Sequence, residues 1–176
     1  MIRITGGTFR SRKLLVPSNG KTKPTMDKVR SAVFSSLGER IVNSDVLDLY
    51  AGSGSYGFEA LSRGAKNVTF IDNKIEQINT IKENAKLLNV EVSIFLSDVF
   101  SFINNNARTH DIIFIDPPYK EDIYQEIVNL LIDKSVIARD GIIVLESDKP
   151  LQITHEKIKT SKQYKYGLAK ILILRM

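Results

Sequence analysis

The sequence predicts an α/β protein built on a parallel sheet, and three observations carry that expectation. DVLDLY (45–50), NVTFID (67–72), EVSIFL (91–96), DIIFID (111–116) and GIIVLES (141–147) are short β-rich runs, apolar almost throughout. Strands buried on both faces have that character. The segments between them, near 56–63, 74–89, 98–106 and 121–133, carry apolar residues at helical spacing. Strand and helix therefore alternate, which implies right-handed βαβ units. The end of the chain differs: ITHEKIK (153–159) and AKILILRM (169–176) are strand-like and joined by SKQYKYG. That spacing predicts a closing antiparallel pair at the sheet edge.

Ahead of the sheet, residues 1–24 read as a basic arm with short extended pieces around Gly6 and Gly7. It ends in the polar loop PSNGKTKPT, where Pro17, Asn19, Gly20 and Pro24 are turn formers. A helix opens the main domain, 25–176. Thr25 is its expected N-cap, Met26, Val29, Val33, Phe34 and Leu37 are its apolar positions, and it stops near Gly38.

Composition narrows the class. The chain has 176 residues, 43% hydrophobic and 26% charged, which suits one globular domain with a full core. No apolar run approaches a membrane span, and MIRITGGTFRSRKL lacks the apolar core of a secretory signal. A cytoplasmic protein is expected. Cys is absent and the histidines are His110 and His155, so no metal site is expected. Lys and Arg number 25 against 20 acids, and the excess is concentrated. Between Arg3 and Arg30 lie Arg10, Arg12, Lys13, Lys21, Lys23 and Lys28, with Asp27 as the one acid. Such a stretch is either a solvated basic arm or a polyanion-binding one.

LDLYAGSGSYGFEALSRGA (47–65) sets a strand, a glycine turn and a helix in succession. Gly52, Gly54 and Gly57 satisfy G-x-G-x-x-G, with Asp72 about 20 residues on at the end of the next strand. The glycines let backbone approach a ligand, and Asp72 can accept from both ribose hydroxyls. Asp48 discriminates among ligands: a carboxylate facing the same crevice opposes a pyrophosphate and welcomes an ammonium or sulfonium. S-adenosylmethionine carries both cations and no phosphate, so it is the expected cofactor. Asp98, after the third run, either accepts from an adenine amino group, with Val99 over a ring face, or caps the following helix.

DIIFIDPPY ends a strand on a carboxylate, two prolines and an aromatic. If this fourth strand lies beside the first, Asp116 stands at the topological switch point, across from the glycine turn. Pro117 and Pro118 have no N–H and offer carbonyls held by ring-locked backbone. An exocyclic nucleobase amine suits such a site, because its two N–H bonds need two acceptors, Asp116 and the Pro117 carbonyl. Those bonds raise its nucleophilicity toward a methyl electrophile. Tyr119 provides a face for a base that has left its stack.

These segments resemble the bacterial 16S rRNA guanine-N2 methyltransferases, the RsmD family. The resemblance runs through RITGGTFRSRKL, KPTMDKVRSAVFSSL, LDLYAGSGSYGFEALSRGA, FIDN, SDVF, DIIFIDPPY and the closing KYG with its last strand. It implies a Rossmann-like seven-stranded methyltransferase sheet and S-adenosylmethionine as donor. The implied substrate is one guanine of 16S rRNA in an assembled or nearly assembled small subunit. By motif, Asp48, Gly52, Ser53 and Gly54 line the methionine side, Asp72 the ribose and Asp98 the adenine. Asp116, Pro117 and Tyr119, with Pro118 beside them, hold the guanine, while Arg10, Arg12, Lys13 and Arg30 reach RNA phosphates. The chain departs from the family at Ser11, often glycine, and at Lys23, often arginine. Two other readings use the same fold: a DNA adenine or cytosine amino methyltransferase, and a noncatalytic RNA-binding protein. A monomer is the expectation from size.

Overall fold

The structure is a computed structural model that describes residues 2–18, 25–106, 108–118 and 123–176. Strand β1 (Ile2–Arg3) pairs antiparallel with β2 (Lys13–Leu14) in a small ribbon. Helix α1 (Thr25–Leu37) follows and runs into a 3-10 turn at Gly38–Ile41. The alternating part comprises β3 (Asp45–Leu49), α2 (Ser55–Ser62), β4 (Asn67–Asp72), α3 (Ile75–Leu88), β5 (Ser93–Leu96), α4 (Val99–Asn105), β6 (His110–Ile115), α5 (Tyr124–Asp133) and β7 (Ile137–Ser147). Strands β8 (Thr160–Tyr166) and β9 (Ala169–Arg175) close the chain.

Seven strands form one sheet in the order β5-β4-β3-β6-β7-β9-β8, parallel from β5 to β7 and antiparallel on both sides of β9. The chain winds outward from β3 to β5, then returns to lay β6 on the other side of β3. The carboxyl ends of β3 and β6 are therefore neighbours, and a crevice opens there, as in open α/β sheets generally. Two apolar clusters cover the two faces. Side chains alternate along each strand, so Ile112 and Phe114 of β6 join the cluster of α1, α2 and α3, while Ile113 and Ile115 join that of α4 and α5.

The tail corrects the expectation. SKQYKYG, read as a connector, is most of β8, and ITHEKIK is irregular with a turn near Glu156. In β8 the period-2 signal is written in Tyr164 and Tyr166 alternating with exposed Gln163 and Lys165, an edge-strand pattern that its lysines disguise. The expected antiparallel closure stands, with β9 inserted beside β7 and β8 at the edge.

The basic segment is anchored to the core. Ile2, Ile4 and Leu14 are buried in the same cluster as Val29 and Phe34. Thr8 N–H donates to Ser62 O at the end of α2, and the Arg12 guanidinium donates to Leu87 O at the end of α3. Ser11 has φ of 70°, a left-handed conformation that costs a non-glycine residue about 1 kcal/mol. The expected N-cap side chain at Thr25 and most of PSNGKTKPT lie outside the described residues. No helix among the described residues is long and apolar enough to cross a membrane.

Candidate active site

The glycine turn is held from two strands. Asp72, ending β4, accepts from Gly52 N–H at 2.9 Å through Oδ2 and from Lys74 N–H at 3.0 Å through Oδ1. Asp48, inside β3, accepts from Gly57 N–H at 2.9 Å and is 3% exposed. Its carboxylate is thus turned under the loop and does not face the open crevice as expected. Alternation explains the difference: Asp48 shares the inward face of β3 with Val46, beneath α2. Burial pushes the Asp48 carboxyl up to about 8, the Gly57 bond pulls against that, and the Asp72 charge adds to the rise.

The glycines divide their work. A Cβ on Gly57 would stand 2.2 Å from the Phe70 ring, and one on Gly54 would stand 2.7 Å from Phe58. These two glycines allow the close packing of α2 on β4. Gly52 differs, with φ of 56° and only ordinary contact, 3.9 Å to Tyr50 O, where a Cβ would be. Gly54 sits left-handed at the N-cap of α2 with no side-chain cap, and Ser53 lies nearly buried beside it. The first turn of α2 therefore offers backbone donors to an anion. A helix start whose N-cap glycine carries no side chain, above a buried carboxyl that accepts its Gly57 N–H and favours a nearby cation, fits a zwitterionic amino-acid moiety such as the methionine end of S-adenosylmethionine.

Farther along the sheet, Asp98 caps α4 by accepting from Ser101 N–H at 3.0 Å while its side chain remains exposed. Of the two readings of Asp98 the capping bond is present, and one carboxylate can serve both. Val99 is 3% exposed within the α4–α5 cluster, so its side chain belongs to the interior and not to a ligand's ring face. It is the first residue of a short helix whose apolar side turns inward.

Asp116 follows β6 directly and is half-buried; Pro117 is buried and Pro118 exposed. Tyr119 lies outside the described residues. Phe114 carries the site's foundation: the Tyr56 ring from α2 stacks on it at 4.9 Å and 22°, and Phe34 of α1 packs on both. Tyr56 Oη donates to Glu146 Oε2 at 2.7 Å, and Tyr124 Oη donates to Glu146 O at 2.9 Å. Burial pushes the Tyr56 phenol well up, and the nearby charges of Glu146 and Asp116 push the same way. Tyr56 was missed by sequence reasoning. No local signal connects residues 90 positions apart.

The cations of the arm fall elsewhere. Arg30 is 1% exposed; it donates to Glu59 Oε2 at 3.1 Å, to Asp27 Oδ1 at 2.9 Å and to Arg3 O. It cannot reach a phosphate, because the fully buried Glu59 carboxylate needs it. Thr5 and Arg63 complete that carboxylate's partners. Burial alone would raise Glu59, but the Thr5 bonds and the two guanidiniums outweigh it and hold the carboxyl below its usual range. Arg10, Arg12 and Lys13 are exposed, and Arg3 and Lys13 stand directly opposite in the ribbon. Arg12, however, sits at the far end of α3, a 14-residue helix, so about 20 Å separates it from the crevice.

A glycine turn facing an Asp-Pro-Pro corner at the switch point of this seven-stranded sheet is a site suited to an S-adenosylmethionine-dependent methyltransferase. Residues 2–175 match the family described as "Conserved hypothetical protein 95". The chain belongs to this family, that of the ribosomal RNA small subunit methyltransferase D proteins. It is 40% identical over 149 residues to "Ribosomal RNA small subunit methyltransferase D" of Escherichia coli K12, covering 84% of this chain and 75% of that one. It is 31% identical to "Putative rRNA methyltransferase YlbH" of Bacillus subtilis, covering 99% and 98%. Among solved structures, "Putative methyltransferase yhhF from Escherichia coli" superposes with a TM-score of 0.90 at 32% identity, covering 99% and 97%. The Thermus thermophilus "16S rRNA N2 G1207 methyltransferase (RsmC) in complex with AdoMet and Guanosine" shares the fold, with a TM-score of 0.75 at 22% identity over 95% of this chain and 46% of that one.

Proposed function

We propose that the protein methylates the exocyclic N2 of a guanine in 16S rRNA, acting as a cytoplasmic monomer on an assembled or nearly assembled small subunit. The observation that carries this reading is Asp116–Pro117 at the carboxyl end of β6, beside the end of β3 and its glycine turn. S-adenosylmethionine supplies, when bound, a methyl carbon made electrophilic by a sulfonium. The residues to hold it are the Gly52–Gly54 turn and the start of α2 for the amino-acid end, Asp72 for the ribose and Asp98 for the adenine. Asp48 acts from beneath the loop as the counter-charge to the cationic end.

On the substrate side, the Asp116 carboxylate and the Pro117 carbonyl accept the two N–H bonds of the target amine. This fixes its direction and draws its lone pair out of conjugation. Asp116 then takes the proton that the amine releases. Pro118, exposed beside them, and Tyr119 form a wall for the everted base. Residues 1–24 act as an RNA-facing arm on the catalytic domain, 25–176. Its exposed Arg10, Arg12 and Lys13 meet phosphates remote from the target. The guanosine named with the RsmC structure and the rRNA named for the E. coli relative support the choice of guanine in rRNA.

Incubation with labelled donor and either unmethylated small subunits, free 16S rRNA or duplex DNA tests the reading, followed by mass mapping of the labelled nucleotide. Label on guanine N2 in the subunits is expected. Label confined to DNA, or none with bound RNA, would overturn it in favour of a DNA amino methyltransferase or a noncatalytic binder.

A further inference from the structure

Holding an everted base requires that the nucleotides flanking it be gripped at the crevice, and the arm's exposed Arg12 is about 20 Å away. The β8–β9 hairpin occupies the right place. Ser147, at the carboxyl end of β7, pairs with Lys170, and Lys170 pairs with Lys165 across the hairpin. The hairpin tip therefore rises at the same end of the sheet as Asp116. Lys170 lies two strands from β6 and Lys165 three, about 10 and 14 Å across the sheet.

Two features of the tip are unfavourable in the free protein, and a third offers half-exposed aromatic surface. Lys165 and Lys170 are directly opposed like charges on one face of the antiparallel pair, an arrangement that destabilises a sheet. Leu168 is 79% exposed, the most exposed large apolar residue among those described. Tyr164 and Tyr166 are half-exposed and stack at 6.3 Å and 18° on the opposite face, the one that Glu146 and Tyr56 share. The tip is also rigid: Tyr166 pairs with Ala169, leaving Gly167–Leu168 as a two-residue turn with Gly167 at φ of 62°. A short, rigid loop with opposed lysines and an apolar apex is better explained by a ligand than by folding.

We propose that this hairpin tip is an RNA-binding element of the methyltransferase. Lys165 and Lys170 hold phosphates next to the target nucleotide, and Leu168 with Tyr166 gives a neighbouring base or sugar an apolar platform. The assignment rests on the reading of the substrate as rRNA. It gives that substrate two grips, a remote one at the arm and a near one at the hairpin.

The test compares the wild type with Lys165→Gln/Lys170→Gln and with Leu168→Ser, using unmethylated small subunits. It measures subunit binding against KCl concentration, kcat/KM, donor affinity and Tm. For the double variant, kcat/KM is expected to fall about tenfold and the log–log salt slope to shrink by about 1.5, two phosphate contacts' worth. Donor affinity should be unchanged, and Tm equal or higher because the opposed charges are gone. Leu168→Ser should weaken subunit binding with an unchanged salt slope. An unaltered slope in the double variant, or a loss of activity that tracks a fall in Tm, overturns the hairpin assignment. A wild type that binds subunits without labelling them overturns the functional reading instead, while the binding slopes still decide the hairpin.

Discussion

Tyr56 Oη donates a 2.7 Å hydrogen bond to Glu146 Oε2, joining the first turn of α2 to the carboxyl end of β7 across the top of β6. The Tyr56 ring stacks on Phe114, two residues before Asp116. Tyr124 of α5 holds the backbone oxygen of the same Glu146 from the other face of the sheet. The strand end next to Asp116 is thereby clamped from both sides, which makes Tyr56 a positioning residue for the Asp-Pro-Pro corner.

Tyr56→Phe keeps the stacking and removes the hydroxyl. A lost buried hydrogen bond to a charged group is worth about 1.5–3 kcal/mol in stability. The expected kinetic signature is a kcat about tenfold lower with the donor KM within twofold, read by steady-state labelling. A raised donor KM with unchanged kcat would place Tyr56 with the cofactor loop instead.

Asp116→Ala removes the acceptor and leaves the glycine turn intact. Turnover is expected to fall by about two to three orders of magnitude, in line with about 3–4 kcal/mol for a preorganised electrostatic contact. Donor affinity by calorimetry should stay within a few-fold. Undiminished turnover would remove the carboxylate from the mechanism.

Asp48 links pH to both stability and donor binding. Its folded value near 8 lies above the ordinary 3.8, so above pH 4 the folded protein keeps a proton that the unfolded chain releases. The stability from this group is complete in acid and drains as pH rises from about 4 through about 8. Asp48→Asn should flatten that decline and stabilise the protein at pH 8 by up to about 5 kcal/mol, measured by urea unfolding. A bound cation favours the ionised carboxyl, so donor binding to the wild type at pH 7 should release close to one proton. Calorimetry in buffers of different ionisation enthalpy reads this number. The Asn variant should release none and bind at least tenfold more weakly.

Glu59, fully buried, ties the first segment, α1 and α2 together through Thr5, Arg30 and Arg63. Glu59→Gln removes the fully buried one of the two carboxylates that partner Arg30 and leaves it Asp27 alone, a loss of up to about 3–5 kcal/mol. Because the folded carboxyl lies low, the Glu59 contribution is present at neutral pH and lost as pH falls through that depressed value. Thermal unfolding at pH 7 should show a loss in the variant that shrinks in strong acid.

Ser11→Gly relieves a left-handed serine at φ of 70°. A gain of about 0.5–1 kcal/mol is expected, since glycine adopts that conformation freely. Unchanged methylation of small subunits alongside the gain would separate backbone strain from RNA contact in the arm.

The alternation of β-rich and helical runs determined the layered α/β class, because periodicity and strand-face burial are local properties. Asp-Pro-Pro after the fourth run and Asp72 twenty residues beyond the glycines were legible for the same reason: each site residue sits at the end of an element whose boundary the chain announces. Side-chain direction and distance were decided only by the tertiary structure. Packing against α2 turned Asp48 under the loop, gave Gly54 and Gly57 to Phe58 and Phe70, and drew Arg30 out of a basic run into the interior. It also set Arg12 at the far end of α3 and made SKQYKYG, read as a connector, the edge strand β8. These outcomes depend on which distant residue fills the space beside each group, and a charge pattern along one chain does not contain its neighbours in space.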